Sequence, residues 1–435
     1  MHCCNKPTVW AGYLFQTVFC LADTRKILGG FIMRNRWLIA LSAIGIHISI
    51  GSVYAWSVLT RPIMEQMGWS LGETTWTFSL AILFLGFSAG LLGSFVEKIG
   101  PKKSGLLSML CFGTGMLGTA YALHVHSLLL LYLFYGAIGG IGLGIGYITP
   151  VSTLVKYFPD HRGFATGLAI MGFGFAALIA GPLMQYLTSA AGLVNNFLIL
   201  GVIYMAVMGA SSLYLKKPAE NPAEGETAAH SDGITAKEAM KTWQFASLWW
   251  IFFVNITCGI GLLAVASPMA QEVTRMSSAT AASMVGIIGL LNGAGRIFWS
   301  TISDYLGRSR VYVLFFVLEI SAFFLLARTT DAFWFQLLVL LIITCYGGGF
   351  SCMPAYLADL FGTRQLSAIH GRILTAWGLA GVAGPTIVSL LHRQTGSYST
   401  ALYFFVGCFI LNLLISMALH FYGRQEKEDS GALAA

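Results

Sequence analysis

Residues 279–303 read ATAASMVGIIGLLNGAGRIFWSTIS, and the charged turn DYLGRSR follows at 304–310. Apart from Arg296 the run is apolar, and as a helix rising 1.5 Å per residue it is long enough to cross about 30 Å of hydrocarbon. Arg296 stands about eight residues, or roughly 12 Å of helix, from the charged turn. A cation at that depth costs on the order of 2.5–3.5 kcal/mol on insertion scales, so a bundle interior, water or a negatively charged ligand must offset it. The stretch sets two expectations: the chain is a helical membrane bundle, and it handles an anion inside that bundle.

Composition agrees with the first. Of 435 residues, 56% are hydrophobic and 10% charged, with a mean hydropathy of +0.74. No single soluble core encloses so much apolar surface. Stretches long enough to span lie at 37–59, 75–96, 104–124, 128–155, 163–187, 195–215, 246–270, 279–303, 310–328, 333–358, 367–391 and 399–422. They predict an all-α integral membrane protein with twelve transmembrane helices. The runs are continuous and rich in Leu, Gly and Ala, which disfavours the alternating strands of a barrel.

If the segment ahead of Trp37 is cytoplasmic, twenty of the 25 Lys and Arg fall on that side; Arg61, Arg275, Arg328 and Arg393 fall on the other, and Arg296 lies between. This bias predicts an inner or plasma membrane protein with both termini cytoplasmic. The net charge of +7 is then a matter of topology, and no nucleic-acid partner is implied. Residues 1–36 read as a cytoplasmic extension outside the mechanism: Val9–Ala22 is apolar but too short to span, and a second start stands at Met33. The eight cysteines show no metal-ligand spacing and no G-x-x-x-x-G-K-S/T loop is present. No metal, cofactor, ATP-driven step or enzyme chemistry is expected.

Residues 216–243 form the only long polar stretch between spans and divide the chain into halves at 37–215 and 244–423, with a cytoplasmic tail at 424–435. The halves repeat each other. Gly93-x-x-x-Glu97-x-x-Gly100-x-Lys102-Lys103 after the second span matches Ser300-x-x-x-Asp304-x-x-Gly307-Arg308-x-Arg310 after the eighth, and Phe158 and Gly181-Pro182 match Phe361 and Gly384-Pro385. Such repeats are common in transporters, with the substrate site near the midplane where the halves meet.

The acidic-glycine-basic loops, the six-plus-six layout and the polar central loop resemble the major facilitator superfamily over essentially Trp37–Gly423. Gly51-Ser-Val-Tyr54-Ala-Trp56, Gly146-Tyr147, Lys156-Tyr-Phe158-Pro-Asp-His-Arg162-Gly163 and Asn292-Gly-x-Gly-Arg296 resemble, more narrowly, its oxalate/formate antiporter family. The resemblance implies alternating access by two six-helix halves, transport of small carboxylates, and Arg296 as the anion ligand. An oxalate exchanger of this family has a second cation, a lysine, in the eleventh span, where this chain reads Thr375-Ala-Trp377-Gly. One cation suits a monoanion, since an unpaired carboxylate in a low-dielectric site is costly. The expected cargo is formate, lactate, pyruvate or a similar monocarboxylate, moved by proton symport or exchange. An oxalate-type dicarboxylate antiporter and a membrane anion sensor without flux are the alternatives.

Arginine suits the role because its planar fork donates paired hydrogen bonds to a carboxylate and stays charged at ordinary pH. Asn292, four residues earlier on the same face, is placed to orient it. The competing reading is a structural brace between Arg296 and Glu319, the acidic residue in mid-span of the ninth stretch. Tyr54, Tyr147, Tyr346 and Trp377 are candidates for an aromatic wall with polar donors. His47, sharing a face with Gly51 and Tyr54, and Glu319 are the candidate proton carriers. In the resembled superfamily the loop carboxylates sit at helix starts in the opposite half, so Glu97 is expected beside Arg372 and Asp304 beside Arg162, as a conformational latch. The glycines Gly136, Gly140 and Gly144, with Gly142 and Gly146, read as a stripe for close helix packing.

Overall fold

In the computed structural model, residues 35–218 and 233–434 are described, with side chains to Tyr422 other than those at 278, 279, 282 and 285. The expectations for residues 1–34 and for most of the central polar stretch lie outside them. From Arg36 onward the chain forms one compact unit. Among the described residues there is no strand. Six long helices precede residue 219: α1 (Arg36–Met67), α2 (Leu71–Ile99), α3 (Pro101–His124), α4 (Leu128–Tyr157), α5 (Arg162–Ala191) and α6 (Leu193–Tyr214). Six follow residue 232: α7 (Trp243–Thr274), α8 (Ser278–Leu306), α9 (Arg308–Leu326), α10 (Ala332–Phe361), α11 (Leu366–Thr395) and α12 (Tyr398–Ala434). Eleven of them are long and apolar enough to cross a membrane, and α8, with 29 residues, has the length of a span while carrying Arg296.

Local sequence sets several boundaries. Before α2, Ser70 and Glu73 form a reciprocal capping box: Glu73 N–H donates to the Ser70 hydroxyl at 3.2 Å and Ser70 N–H to the Glu73 carboxylate at 2.8 Å. Gly68 ends α1 with φ +72°, a conformation that favours glycine. The first expected span stopped at residue 59. The helix instead runs on to Met67, through a tighter 3₁₀ turn at Ser52–Ala55 that holds Tyr54. Such a turn inside a helix re-aims side chains and often marks a functional position.

Glycines fix how closely the helices approach. On α4, a Cβ at Gly140 would lie 2.8 Å from the Ala81 carbonyl of α2, and one at Gly142 would run into the α3 backbone at Phe112, so the stripe packs α4 on both neighbours. Two further close contacts join the first six helices to the last six, and they are related by the repeat. Gly86 of α2 faces the backbone of α11, where a Cβ would come within 2.7 Å of the Leu374 carbonyl and 2.9 Å of Gly378 Cα; Gly174 of α5 faces α8 with Gly293 Cα at 2.9 Å from the same construction. A valine at Gly86 has only backbone to push against. Gly86→Val is therefore expected to lower stability by about 1–3 kcal/mol, read as a drop in the melting temperature of the purified protein, whereas Gly407→Val, where a Cβ would meet nothing within 4 Å, should leave it within error.

Candidate functional site

Arg296 projects from α8 between the two groups of helices and is fully buried. Nε donates to Asn292 Oδ1 at 3.1 Å, one helical turn away, and Nη1 donates to the Ile170 carbonyl of α5 at 3.2 Å. The guanidinium carbon rests 5.2 Å from the ring centre of Phe350 and 6.0 Å from that of Phe173. Cation–π contact of this kind offsets about 0.5–2 kcal/mol per ring. Nη2 has no hydrogen-bond partner. No ion pair among the described residues includes Arg296. Gly174 and Gly347 leave the room this side chain occupies: a Cβ at either would lie 3.3 Å from its Nε or Cγ.

The alternative, a brace between Arg296 and Glu319, is not formed. Glu319 is buried, but it points to α7, where the Asn255 amide donates to its two carboxylate oxygens at 3.2 and 3.3 Å. The polar residue that receives it, Asn255, carried no periodic signal in an apolar run.

The aromatic candidates do come together. Trp377 is fully buried with its ring centre 4.8 Å from Phe350, 5.3 Å from Tyr147, 5.6 Å from Phe173 and 6.4 Å from Tyr54. Tyr346 meets the other side of Phe350 at 5.3 Å. Tyr54, in the 3₁₀ turn of α1, packs edge-on against Phe173 at 5.0 Å. By donor–acceptor geometry the buried hydroxyls of Tyr54, Tyr147 and Tyr346, the indole nitrogen of Trp377 and Arg296 Nη2 close no hydrogen bond, although the Tyr54 hydroxyl lies near both Tyr346 and Arg296. Buried polar atoms are satisfied in the large majority of cases, so five open ones on mutually packed side chains mark a polar site. His47 belongs to the same face of α1 as Gly51 and Tyr54, all three against Phe173 of α5. Phe173 and Phe350, on which the guanidinium lies, were missed by the sequence reasoning. Nothing in sequence separates them from the other phenylalanines of a chain with 30.

The loop carboxylates occupy the starts of helices across the middle of the molecule. Asp304 accepts from Gly163 N–H and Phe164 N–H in the first turn of α5, both at 2.8 Å. Glu97 accepts from Ser367 N–H in the first turn of α11 at 3.3 Å. Each carboxylate thus meets the positive end of a helix dipole, an interaction of about 0.3–1 kcal/mol at the surface and up to about 2 when partly buried. The basic partners differ from those expected. Glu97 pairs with Lys156 at 2.5 Å instead of Arg372, and Asp304 pairs with Arg308 at 2.5 Å, while Arg162 and Arg308 share Asp359 at 3.0 and 3.1 Å. The signal for this was present: Lys156 and Asp359 each precede a repeat-related phenylalanine, Phe158 and Phe361, by two residues. Thr166 and Ser152 add bonds to the Ser351 carbonyl and the Ser367 hydroxyl at 2.6 and 2.7 Å.

Contact between α5 and α8 is therefore continuous from the loop-motif end up to Gly174 and Gly293. One and two turns beyond, a Cβ at Gly289 or Gly286 would meet nothing within 4 Å. The structure is sealed at the end bearing Glu97 and Asp304; beyond Arg296, α8 has open space at Gly289 and Gly286, while α2 and α11 stay in contact at Ile82 and Gly381.

The Major Facilitator Superfamily profile matches residues 38–303 and again 248–435, and the chain belongs to that superfamily. It is a multi-pass membrane transporter and not an enzyme. The oxalate:formate antiporter of Oxalobacter formigenes is 26% identical over 403 residues, covering 91% of this chain and 94% of the antiporter. Apicoplast pyruvate carrier 1 of Toxoplasma gondii is 24% identical over 452 residues, covering 78% and 81%. Among solved structures, that of the E. coli fucose:proton symporter superposes with a TM-score of 0.70 at 13% identity, covering 88% of this chain and 99% of the symporter.

Asp304, nearly fully buried and holding two N–H groups, is the stronger of the two cross-links. Asp304→Asn is expected to raise the labelling rate of cysteines placed at the loop-motif end several-fold, and Glu97→Gln to raise it less. Equal labelling in all three proteins would show that neither carboxylate holds that end closed.

Proposed function

We propose that this transporter carries a small organic monoanion, such as formate, lactate or pyruvate, by alternating access, with Arg296 as the ligand of its carboxylate. One observation carries the reading: a fully buried guanidinium has two nitrogens held by uncharged protein groups, one nitrogen without a partner, and no carboxylate paired with it. A solute carboxylate on Nη2 supplies the missing charge, and the hydroxyls of Tyr54 and Tyr346, both near Arg296, then donate to its second oxygen. Asn292 fixes the fork, Tyr147 and Trp377 enclose the cargo, and the absence of a second cation at Trp377 favours one negative charge over two. The names of the two curated relatives, with their oxalate, formate and pyruvate, agree in chemical class.

The charge bias assigns the loop-motif end to the cytoplasm, in an inner or plasma membrane, with residues 37–215 and 244–423 as the rocking halves. The sealed end is then the inner one, and the open space beside Gly289 and Gly286 lies toward the outside. Opening it requires parting Asp304 from α5 and Glu97 from α11, contacts that a loaded site can exchange for equivalent ones at the outer end. Glu319, engaged by Asn255, serves structure in this reading.

In proteoliposomes, wild type is expected to catalyse counterflow of labelled formate, L-lactate or pyruvate better than of oxalate. Arg296→Lys, which keeps the charge and loses the paired donors, should weaken apparent affinity about 10- to 100-fold. A preference for oxalate would move the assignment to a dicarboxylate exchanger, and stabilisation by an anion without counterflow would make the protein a sensor. Glu319→Gln is expected to leave the pH dependence of uptake unchanged; loss of that dependence with exchange intact would return Glu319 to the coupling machinery.

A further inference from the structure

Near the sealed end, three imidazole nitrogens are left unused by the anion site. His47 of α1 and His370 of α11 are both fully buried, and the ring of Tyr147 of α4 lies 5.3 Å from the first and 5.9 Å from the second. His47 Nδ1 lies 3.1 Å from the Ala43 carbonyl, so with its proton there Nε2 is left as an acceptor. That nitrogen and both nitrogens of His370 have no hydrogen-bond partner. His370 follows Ser367, whose N–H and hydroxyl bind Glu97 and Ser152 in the seal, by one turn of the same helix.

The surroundings decide what can bind. Facing His47 are Arg296 from α8, the ring and carbonyl of Tyr147 from α4, and Phe173 with the Gly172 backbone from α5. Facing His370 are Tyr147 and His47 from the first six helices, while α2 presents the Ala89 carbonyl beside Gly371. No carboxylate acts on either imidazole; Glu97 lies beyond Ser367 with Lys156. Each neutral imidazole keeps one lone pair, and among rings packed this tightly the fitting ligand is a proton.

We propose that His47 and His370, on either side of Tyr147, form a proton-binding site divided between the two groups of six helices and loaded together with the anion on Arg296. The inference rests on the carrier reading above and names its coupling ion. His47 and Arg296 lie against the same Phe173 ring, at 6.4 and 6.0 Å, so a proton on this pair is a second buried cation near the guanidinium, disfavoured first by burial and then by that like charge. A carboxylate on Arg296 cancels that repulsion, so anion and proton enter as a neutral pair. Water on the open side gives up the proton to an imidazole nitrogen. When the seal opens, α11 carries His370 away from His47, and the proton passes to water on the other side. No other bond is made or broken.

Two measurements separate this proposal from the carrier reading. In proteoliposomes, counterflow of labelled formate, L-lactate or pyruvate at equal pH tests carriage alone, while uptake driven by an acid exterior tests coupling. The ratio of acid-driven uptake to counterflow is expected to fall at least tenfold in His370→Gln and in His47→Gln; an unchanged ratio in both overturns the proposal and leaves the carrier standing. Titration calorimetry of wild type with L-lactate, in buffers of different ionisation enthalpy, requires neither flux nor a variant. Binding is expected to take up on the order of one proton, and binding with no proton uptake overturns the pair's role even if counterflow is robust.

Discussion

A permanent charge held away from water with one donor unspent is the constraint around which this molecule is built. Arginine cannot discharge itself to escape burial as lysine or glutamate can. Its stabilisation is assembled from weak parts: one side-chain amide, one backbone carbonyl and two aromatic faces. Each is worth at most a few kcal/mol, and none is an anion. The arrangement keeps the charge tolerable in the empty site while leaving a solute something to gain.

The surrounding architecture follows from where that charge has to be. It sits at the contact of α5 and α8, so the two groups of helices must approach closely there, and glycines at 174 and 293 allow it. The same contact continues to the loop-motif end, where Asp304 caps α5 and Arg308, Arg162 and Asp359 tie the two groups together. The repeat-related contact of α2 with α11 ends in Glu97 on the first turn of α11. Site and seal thus share helices. Arg296 and Asp304 stand eight residues apart on α8, so any shift of that helix moves both.

Much of this was legible in the sequence, for identifiable reasons. Span number, the repeat and the depth of Arg296 rest on long apolar runs and widely spaced motifs, which a membrane solvent makes nearly unambiguous. Asn292 was legible because helical periodicity places it beside Arg296. Other features depended on contacts between distant segments: the carbonyl of Ile170, the rings of Phe173 and Phe350, and the engagement of Glu319 by Asn255. The cross-link partners fall between these cases. Reading the Phe158–Phe361 register two residues back would have exposed Lys156 and Asp359. The tight turn at Tyr54 could not have been read, because residues 52–55 contain no glycine or proline to signal it.

Arg296 Nη2 is proposed to belong to a solute. A structure determined with bound L-lactate or formate tests it most directly. The expected result is a carboxylate oxygen within hydrogen-bond distance of Nη2, enclosed by Tyr54, Tyr346 and Trp377. An anion bound elsewhere, with Nη2 still unpartnered or turned onto a protein carboxylate, would contradict it.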